Sequence, residues 1–361
     1  MTERKTVLYR LAACFVLLAL AFSFAACGRE TYPEIASSKE EATVVATLGD
    51  HEVKYELFRA FFTAMYSGKT ADMTEEGWNE AVSAVLREIA YIYATLDVAK
   101  ANGVDPYGAT INDKVSELVR IEYEGQEVNG VRVEGCGTKE EYKRALAAAN
   151  MTDAVNRLIF RYDATQAELY EYLVTNYSFG NVHVTPDEAR AFFDSSDCAH
   201  GVWIFISYEF RSGRASALAY AEEIRERLAS ATEYSEIRQV LIETFSDQVL
   251  SRDEMENGFY VGRHQGNIPA QRKLVSDVFS LEPYRCGEPV YGEDGIYIAV
   301  GLPKNVADYE ATPNYFLDLL IEERCINRPI FEAVDEMTGN VKFSSAFPDF
   351  TPETLAKLTV R

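Results

Sequence analysis

The spacing of apolar residues changes repeatedly along the chain, and these changes predict a mixture of helices and short strands. Residues 201–208 form an apolar run that is rich in aromatic and β-branched residues and too short for an ordinary helix, so they predict a buried strand. Apolar residues then recur at helical spacing in residues 216–230 and 234–245. A third helix is predicted over residues 269–279, because it begins with a proline, which fits the first helical turn.

Three short strands are predicted around and after this third helix. Residues 257–262 lie between turn residues and predict one strand. Residues 288–291 and 295–300 predict a hairpin across the turn that starts at Gly292. The resulting order is strand, helix, helix, strand, helix, strand, strand, which predicts one small α+β domain over residues 196–303.

Helical periodicity dominates on both sides of this domain. A hairpin is predicted at residues 44–53 and a final strand at 340–344, and the four glycines of residues 124–137 favour a loop or an exposed hairpin. Helices are predicted at residues 55–66, 75–102, 111–123, 138–149, 152–173, 185–193 and 313–337, the last with a possible break at Pro329.

This order of elements and its local sequence resemble the parvulin-type peptidyl-prolyl isomerases, in the form found in the PrsA and SurA extracytoplasmic foldases. Residues 184–193 also resemble the helix that leads into the domain in this family. The matching segments are Val202-Trp-Ile-Phe-Ile206, Phe245-Ser-Asp247, Gly258-Phe-Tyr-Val-Gly262, Val278-Phe-Ser-Leu281, Gly287-Glu-Pro-Val290 and Gly295-Ile-Tyr-Ile298.

The resemblance implies an α+β fold in which a small parvulin-like domain is inserted into a mostly helical, SurA-like chaperone module. On this interpretation residues 1–26 are a signal peptide and residues 27–43 are a tether. Residues 44–195 would form the N-terminal part of the module and residues 196–303 the parvulin-like domain. Residues 304–361 would supply a C-terminal helix and strand that complete the module.

The resemblance also locates a candidate isomerase site. Active parvulin-like sites hold one histidine on the first strand, another on the last strand, a cysteine or aspartate between them, and Met and Phe around a proline pocket. The equivalent positions in this chain are Trp203, Asp247, Gln248, Ala270, Leu274 and Tyr297. Trp203 and Tyr297 replace the two histidines, so isomerase activity is uncertain and no catalytic residue is assigned.

The four histidines of the chain do not restore this pattern. His200 lies three residues before Trp203, and His264 lies in a predicted loop, so neither is in register with the family positions. Both are expected to be surface or loop residues, while Trp203 and Tyr297 are expected to pack in a core. The carboxylates Asp253, Glu254 and Glu256 are expected to lie in a solvated loop, and the remaining histidines are His51 and His183.

The start of the chain has the pattern of a bacterial lipoprotein leader. Three basic residues precede an apolar run at residues 11–26, which is too short to span a bilayer comfortably. The run ends in Phe24-Ala-Ala-Cys27, where small residues before the cysteine indicate lipidation of Cys27. This predicts a membrane-anchored, extracytoplasmic lipoprotein of a bacterium; an uncleaved anchor and an ordinary secretion signal are the alternatives.

Composition and motifs limit the partners and cofactors that the sequence predicts. A formal net charge of −22 argues against nucleic acid as a partner, because phosphate contacts need Lys and Arg. No metal or cofactor is predicted, because the sequence contains no zinc, dinucleotide or phosphate-loop motif. Four widely spaced cysteines follow Cys27: Cys136, Cys198, Cys286 and Cys325. They are expected to be buried free thiols, or two of them to form one disulfide.

The sequence is compatible with three functions. The first is a tethered chaperone or foldase for unfolded or nascent secreted proteins, whose parvulin-like domain is catalytically weak or silent. The second is an active isomerase that uses a displaced residue set around Asp247, Gln248 and Tyr297, and the third is a non-enzymatic binding or assembly lipoprotein that shares the fold. For the first function, the candidate client-binding residues are Phe58, Phe61, Phe62 and Tyr91.

Overall fold

A computed structural model of the chain describes residues 42–66, 73–128, 131–175, 184–292 and 294–345. The predicted signal peptide, Cys27 and nearly all of the predicted tether lie outside the described residues, as does His183. No helix among the described residues is both long and apolar enough to cross a membrane.

The N-terminal part of the chain begins with a hairpin and continues as helices. Thr74 caps the longest helix by accepting a hydrogen bond from the backbone N–H of Gly77 at 3.1 Å. In order, the elements are β1 (Val44–Leu48), β2 (His51–Lys54), α1 (Tyr55–Tyr66), α2 (Glu75–Ala101), α3 (Ala109–Glu124), β3 (Gln126–Val128), β4 (Val131–Val133), α4 (Lys139–Ala148) and α5 (Asp153–Tyr170).

A second group of elements alternates strands and helices. Thr185 and Glu188 form a capping box at the first helix, and Pro269 occupies the first turn of the last helix. The elements are α6 (Pro186–Asp194), β5 (Cys198–Ser207), α7 (Arg214–Ala229), α8 (Tyr234–Glu243), a 3₁₀ turn (Ser246–Gln248), α9 (Arg252–Asn257), β6 (Phe259–Gly262), α10 (Pro269–Ser280), β7 (Val290–Tyr291) and β8 (Gly295–Leu302).

The described chain then returns to helix and ends in a short strand. The final elements are α11 (Val306–Ala311), α12 (Pro313–Glu322), a π-helical turn (Glu323–Asn327), α13 (Arg328–Gly339) and β9 (Lys342–Phe343). The break predicted near Pro329 is the π-helical turn that precedes it. The fold class is therefore α+β, as the sequence predicts.

The chain divides into two compact units, which are named by their place in the sequence. The central unit runs from Leu173 to Arg328, and the flanking unit contains residues 42–172 and 329–345. Within the described residues the chain passes between the units at two places, and a π-helical turn lies at or next to each one, at Glu171–Thr175 and Glu323–Asn327. The domain boundaries from the sequence, at residues 195 and 303, stay a prediction.

In the flanking unit, the first and last described strands lie in one sheet. The strand order is β2-β1-β9, and β1 pairs antiparallel with β9 through Ala46 opposite Phe343. Ser344 extends this pairing by donating its N–H to the carbonyl of Val45 at 3.0 Å. Helices α3, α4 and α5 of the same unit enclose a separate apolar cluster around the buried Tyr142 and Phe160.

In the central unit, a four-stranded antiparallel sheet has an apolar cluster on each face. The strand order is β6-β5-β8-β7, and β5 and β8 are the central pair. Residues 202, 204 and 206 of β5 face helices α7 and α8, whereas Phe205 faces helix α10. This alternation follows from the period of two along a strand, and it explains why the run at 201–208 is apolar throughout.

Two short helices of the central unit differ from the expectations. Asp253, Glu254 and Glu256 lie in α9 rather than in a loop, because Ser251 and Glu254 form a capping box that starts a helix there. The sequence does not predict helix α11, which begins where Asn305 accepts a hydrogen bond from the N–H of Ala307 at 3.1 Å.

Helices α6 and α12 pack together in the central unit around Phe193 and Phe316.

Candidate functional site

The sheet face that carries helix α10 brings together four of the six family-equivalent positions. Trp203 on β5 and Tyr297 on β8 lie on this face with Leu274 and Ala270 of α10. Leu274 is only 2% exposed and Tyr297 only 6% exposed. The side chains that would line a proline pocket therefore fill an apolar cluster, and they present little surface to a ligand.

Tyr297 is fixed at both ends of its side chain. Its ring packs against Phe205, with ring centroids 5.0 Å apart, and its hydroxyl donates to the carboxylate of Asp294 at 3.1 Å. Burial, together with the charge of Asp294, raises the pKa of the Tyr297 hydroxyl, so the phenol stays protonated at physiological pH. Burial also raises the pKa of Asp294. This hydroxyl is already committed to an acceptor within the protein.

Trp203 retains more exposed surface than Tyr297. It is half-buried and meets Phe259 of β6 edge to face, with ring centroids 4.2 Å apart. This geometry is a favourable arrangement for two aromatic rings. Both replacements of the family histidines thus pack into the sheet unit, as the sequence suggests, but neither supplies a titratable imidazole.

The other two family-equivalent positions lie apart from this cluster, on the exposed surface of a turn. Asp247 and Gln248 are exposed residues of the 3₁₀ turn that follows helix α8. Ser246 ties this turn to the sheet, because its buried hydroxyl accepts the backbone N–H of Phe205 at 3.0 Å. Thr244 adds a second buried hydroxyl, 2.9 Å from that of Ser246. The turn that carries Asp247 is therefore tied to the sheet, and no histidine of the described residues bonds to the Asp247 carboxylate.

His200 differs from its expected position, because it is buried within strand β5. Its ring stacks on Tyr260, with centroids 4.2 Å apart. Nδ1 lies 2.7 Å from the carbonyl oxygen of Pro303 and Nε2 lies 2.9 Å from that of Asn257. The expectation of a surface residue is wrong, because both carbonyls come from segments that only the folded sheet brings to this strand.

His264 lies after β6, as expected, but it contacts a buried carboxylate. Its Nδ1 bonds to Glu323, whose side chain is 1% exposed, and its backbone N–H donates to the same carboxylate at 3.2 Å. Glu323 begins the second π-helical turn. The pair therefore holds that turn to the loop after β6, and neither of its residues is a family-equivalent position.

The four candidate client-binding residues differ in exposure. Phe58 and Phe62 of helix α1 have no exposed surface, and Tyr91 of helix α2 is also buried. Phe62 packs against Trp78 with ring centroids 5.2 Å apart. Only Phe61 retains partial exposure. The sequence correctly indicates an apolar helix face, but that face forms the core of the flanking unit, and a role in client contact remains a prediction for Phe61.

Cysteine and metal chemistry play no part in the described geometry. Cys198, Cys286 and Cys325 are thiols in the structure, and burial raises the pKa of Cys198 to about 12. A thiol with so high a pKa is a poor nucleophile. Within the described ranges, no cluster of three or more His, Cys, Asp or Glu side chains is arranged to hold a metal ion.

Sequence inspection missed one exposed feature close to this site. Phe210, after β5, and Phe245, before the 3₁₀ turn, are both 54% exposed, and their ring centroids lie 5.7 Å apart. Phe245 falls within a segment that matches the parvulin pattern, but periodicity counts it as the last apolar residue of a helix. The signal that could have revealed its exposure is the polar sequence Ser246-Asp247-Gln248 that follows it.

The geometry defines an α+β protein whose central unit is built on a four-stranded antiparallel sheet. No family model matches the chain, and no curated protein matches it. Among solved structures, it is similar to the foldase protein PrsA from Streptococcus pneumoniae, with 15% identity and a TM-score of 0.27 over 77% of this chain and 96% of that one. It is also similar to PrsA from Bacillus subtilis, with 12% identity and a TM-score of 0.25 over 86% of this chain and 98% of that one. At TM-scores this low, the similarity carries no argument about fold or function.

Proposed function

We propose that this protein is a chaperone or foldase for unfolded secreted proteins, and that its parvulin-like unit lacks the histidine chemistry of active family members. The observation that carries the proposal is the environment of Tyr297. It occupies the last-strand histidine position, and its hydroxyl is bonded to Asp294 inside a filled apolar cluster. A parvulin-like domain without its catalytic histidines can still bind polypeptide, as members of the resembled family do.

The chemistry of prolyl isomerisation supports this choice. The barrier to rotation about a peptide bond is about 18–20 kcal/mol, and an enzyme must stabilise the twisted amide to lower it. Such a site needs an open apolar pocket for the proline ring and polar groups around the carbonyl. Here Leu274 is buried, and the exposed Asp247 and Gln248 lie on a turn outside the cluster.

The rest of the proposal follows the sequence. The parvulin-like domain would be an insertion in a helical chaperone module, and lipidated Cys27 would tether the protein to the outer face of a bacterial membrane. The clients would be unfolded or nascent secreted chains, with no nucleic acid and no cofactor involved. Replacement of Cys27 by alanine tests the tether: processing and membrane attachment identical to those of the parent protein would contradict it.

The function itself is tested by two measurements on the mature chain without its lipidated cysteine, residues 28–361. Suppression of the aggregation of a chemically unfolded client is expected, because a chaperone binds exposed apolar segments. NMR exchange on a proline peptide should show no isomerisation above background, even at high protein concentration. Failure to suppress aggregation of any of several unrelated clients would rule out the chaperone function.

A working isomerase with a displaced residue set is the second candidate. It is favoured by the Ser246 hydrogen bond, which ties the turn that carries Asp247 to strand β5. Peptide exchange well above background, lost in Asp247→Ala or in Tyr297→Phe, would establish this function. Exchange that survives both substitutions would instead indicate a contaminating isomerase, so both variants should be purified in parallel with the parent protein.

A further inference from the structure

Two exposed phenylalanines on the central unit form an aromatic pair. Phe210 and Phe245 come from different turns, and each keeps about half of its surface in solvent, with the rings inclined at 52°. Ile242, three residues before Phe245, is 53% exposed as well. Soluble proteins rarely group large apolar side chains at the surface without a binding role.

The turn that carries Phe210 is ordered by the end of strand β5. The hydroxyl of Ser207 accepts the backbone N–H groups of Glu209 at 3.2 Å and of Phe210 at 3.5 Å. Gly213 closes the turn by donating its N–H to the carbonyl of Tyr208 at 2.9 Å. The position of the Phe210 ring is therefore defined by the same strand that forms the centre of the sheet.

The turn that carries Phe245 holds it in a strained conformation. Phe245 has φ 58°, a left-handed backbone conformation that bulky residues rarely adopt. Its N–H donates to the carbonyl of Ile242 at 3.3 Å, and its own carbonyl accepts from Gln248 at 3.0 Å. An exposed aromatic residue kept in such a conformation indicates selection for something other than stability.

Both turns are fixed to neighbouring positions of β5. Ser246 accepts the N–H of Phe205, and Ser207 accepts the N–H of Phe210, so each turn has its own hydrogen bond to the end of that strand. The backbones of the two turns are thus ordered in the unbound protein, and the ring centroids lie 5.7 Å apart. A surface that is already ordered loses less conformational entropy when it binds a flexible chain.

Two acidic residues lie close in sequence to the aromatic pair: Glu209 precedes Phe210, and Asp247 lies two residues after Phe245. Glu209 and Asp247 are exposed, and among the described residues neither carboxylate lies within ion-pair distance of a cation. The nearest basic side chain in sequence, Arg211, is directed elsewhere, because its guanidinium lies 3.4 Å from the centre of the Tyr220 ring. A partner with complementary charge would carry Lys or Arg next to an apolar side chain.

We propose that Phe210 and Phe245 form a client-contact surface for extended polypeptide segments in which an apolar side chain lies beside a basic one. This inference rests on the proposed function, and it adds where clients bind and which client segments bind best. The apolar side chain of the client packs against the two rings, and its basic neighbour lies near Glu209 and Asp247.

Binding of fluorescent Gly-Ser peptides to the mature chain tests the surface. One peptide carries Phe and Leu flanked by Lys, a second carries the same apolar residues flanked by Glu, and a third carries Lys alone. The first peptide should bind best, and the double variant Phe210→Ser/Phe245→Ser should weaken its binding roughly tenfold or more. Phe343→Ser is the matched control, because that residue is a phenylalanine with 53% exposure on β9 of the flanking unit.

Two further variants separate binding from folding and charge from apolar contact. Phe245→Gly removes the ring and also relieves the left-handed backbone, so lost binding in this variant cannot be attributed to unfolding. Glu209→Gln/Asp247→Asn should remove the preference for the Lys-flanked peptide over the Glu-flanked one while leaving the apolar contact. Equal binding of both flanked peptides by the parent protein would contradict the proposed preference.

The outcomes distinguish this surface from the proposed function. If the parent protein and the Phe210→Ser/Phe245→Ser variant suppress client aggregation and bind peptides equally well, the surface is wrong and the chaperone function stands. If the double variant converts a dimer to a monomer without changing peptide binding, the pair is a contact between two copies and the proposal is wrong. If the parent protein suppresses no aggregation, the function fails and the client surface fails with it.

Discussion

His200 lies flat against Tyr260, with ring centroids 4.2 Å apart and ring planes 6° from parallel. The edge of the imidazole faces two acceptors, the carbonyl oxygens of Pro303 and Asn257. Carbonyl oxygens only accept hydrogen bonds, so the ring donates to both of them only when both of its nitrogens carry hydrogen. His200 thereby joins the segment after β8 to the C-terminal end of helix α9.

Replacement of His200 by phenylalanine tests this connection. The stack on Tyr260 is retained, but the part-buried contacts of the ring with the two carbonyls are lost, and the expected loss of stability is about 1–3 kcal/mol. Urea unfolding of the central unit can be followed by Trp203 fluorescence in a Trp78→Phe background, because the chain has only two tryptophans.

His51→Phe is the matched control for that experiment, with unfolding of its own flanking unit read from Trp78 fluorescence in a Trp203→Phe background. His51 also stacks on a tyrosine, Tyr93, with centroids 4.4 Å apart, but its partner Asp97 is an exposed carboxylate. An exposed pair of this kind contributes little, so the expected change is below about 1 kcal/mol. Equal losses in the two variants would contradict a special role for the bonds of His200.

Gly201→Ala should destabilise the central unit by overpacking. A Cβ at this position would lie 2.7 Å from one methyl of Val278 and 2.9 Å from the carbonyl of Val300. Neither β8 nor helix α10 can move away without disturbing the sheet, and the expected cost is about 1–3 kcal/mol. Gly339→Ala is the control, because no atom lies within 4 Å of its added Cβ, and alanine there should be neutral or slightly stabilising.

Phe61 and Phe62 should respond differently to truncation despite being neighbours in one helix. Phe62 has no exposed surface and packs on Trp78, so Phe62→Ala should cost the flanking unit about 3–5 kcal/mol. Phe61 is partly exposed, and Phe61→Ala should cost less than about 1.5 kcal/mol. Urea unfolding read from Trp78 fluorescence in a Trp203→Phe background measures both, and similar losses would contradict the packing of helix α1.

Glu122 should make the flanking unit less stable as the pH rises. Burial raises its pKa from 4.5 to about 7, although Asn156 donates to its carboxylate at 2.7 Å. The folded state therefore binds the proton more tightly than the unfolded state does. The resulting stability is fully present below about pH 4.5 and is lost as the pH rises through about 7.

The Glu122→Gln variant removes this titration while keeping the shape of the protonated carboxyl group. Its unfolding free energy should match that of the parent near pH 4 and exceed it by about 2–3 kcal/mol near pH 8. Trp78 fluorescence during urea unfolding at several pH values provides the measurement. Parallel pH profiles of parent and variant would show that the folded carboxyl group titrates as it does in the unfolded chain.

The elements that the sequence predicts well are those set by local periodicity and capping. Helix α1 begins and ends at the predicted residues, because its apolar spacing lies within the segment itself. Helix α9 is not predicted although Ser251 and Glu254 form a capping box, because six residues give too short a periodic pattern. Whether so short a segment forms a helix depends on the fold around it.

The candidate site is less accessible to sequence reasoning, because it depends on contacts between distant segments. The apolar pattern of helix α1 does not reveal that Phe58 and Phe62 face the interior while Phe61 is partly exposed. The burial of His200 likewise depends on Pro303, more than a hundred positions later. Sequence gives the chemistry of a side chain, whereas its accessibility is decided by residues far along the chain.

The pairing of β1 with β9 constrains the order in which the chain can fold during synthesis. The sheet of the flanking unit lacks one strand until Lys342 and Phe343 have been made, although its other two strands are among the first described residues to emerge. The central unit is complete once Arg328 has been made. During synthesis, the edge of β1 that pairs with β9 therefore stays unpaired while the central unit can already fold. The flanking sheet is completed only when β9 has been made.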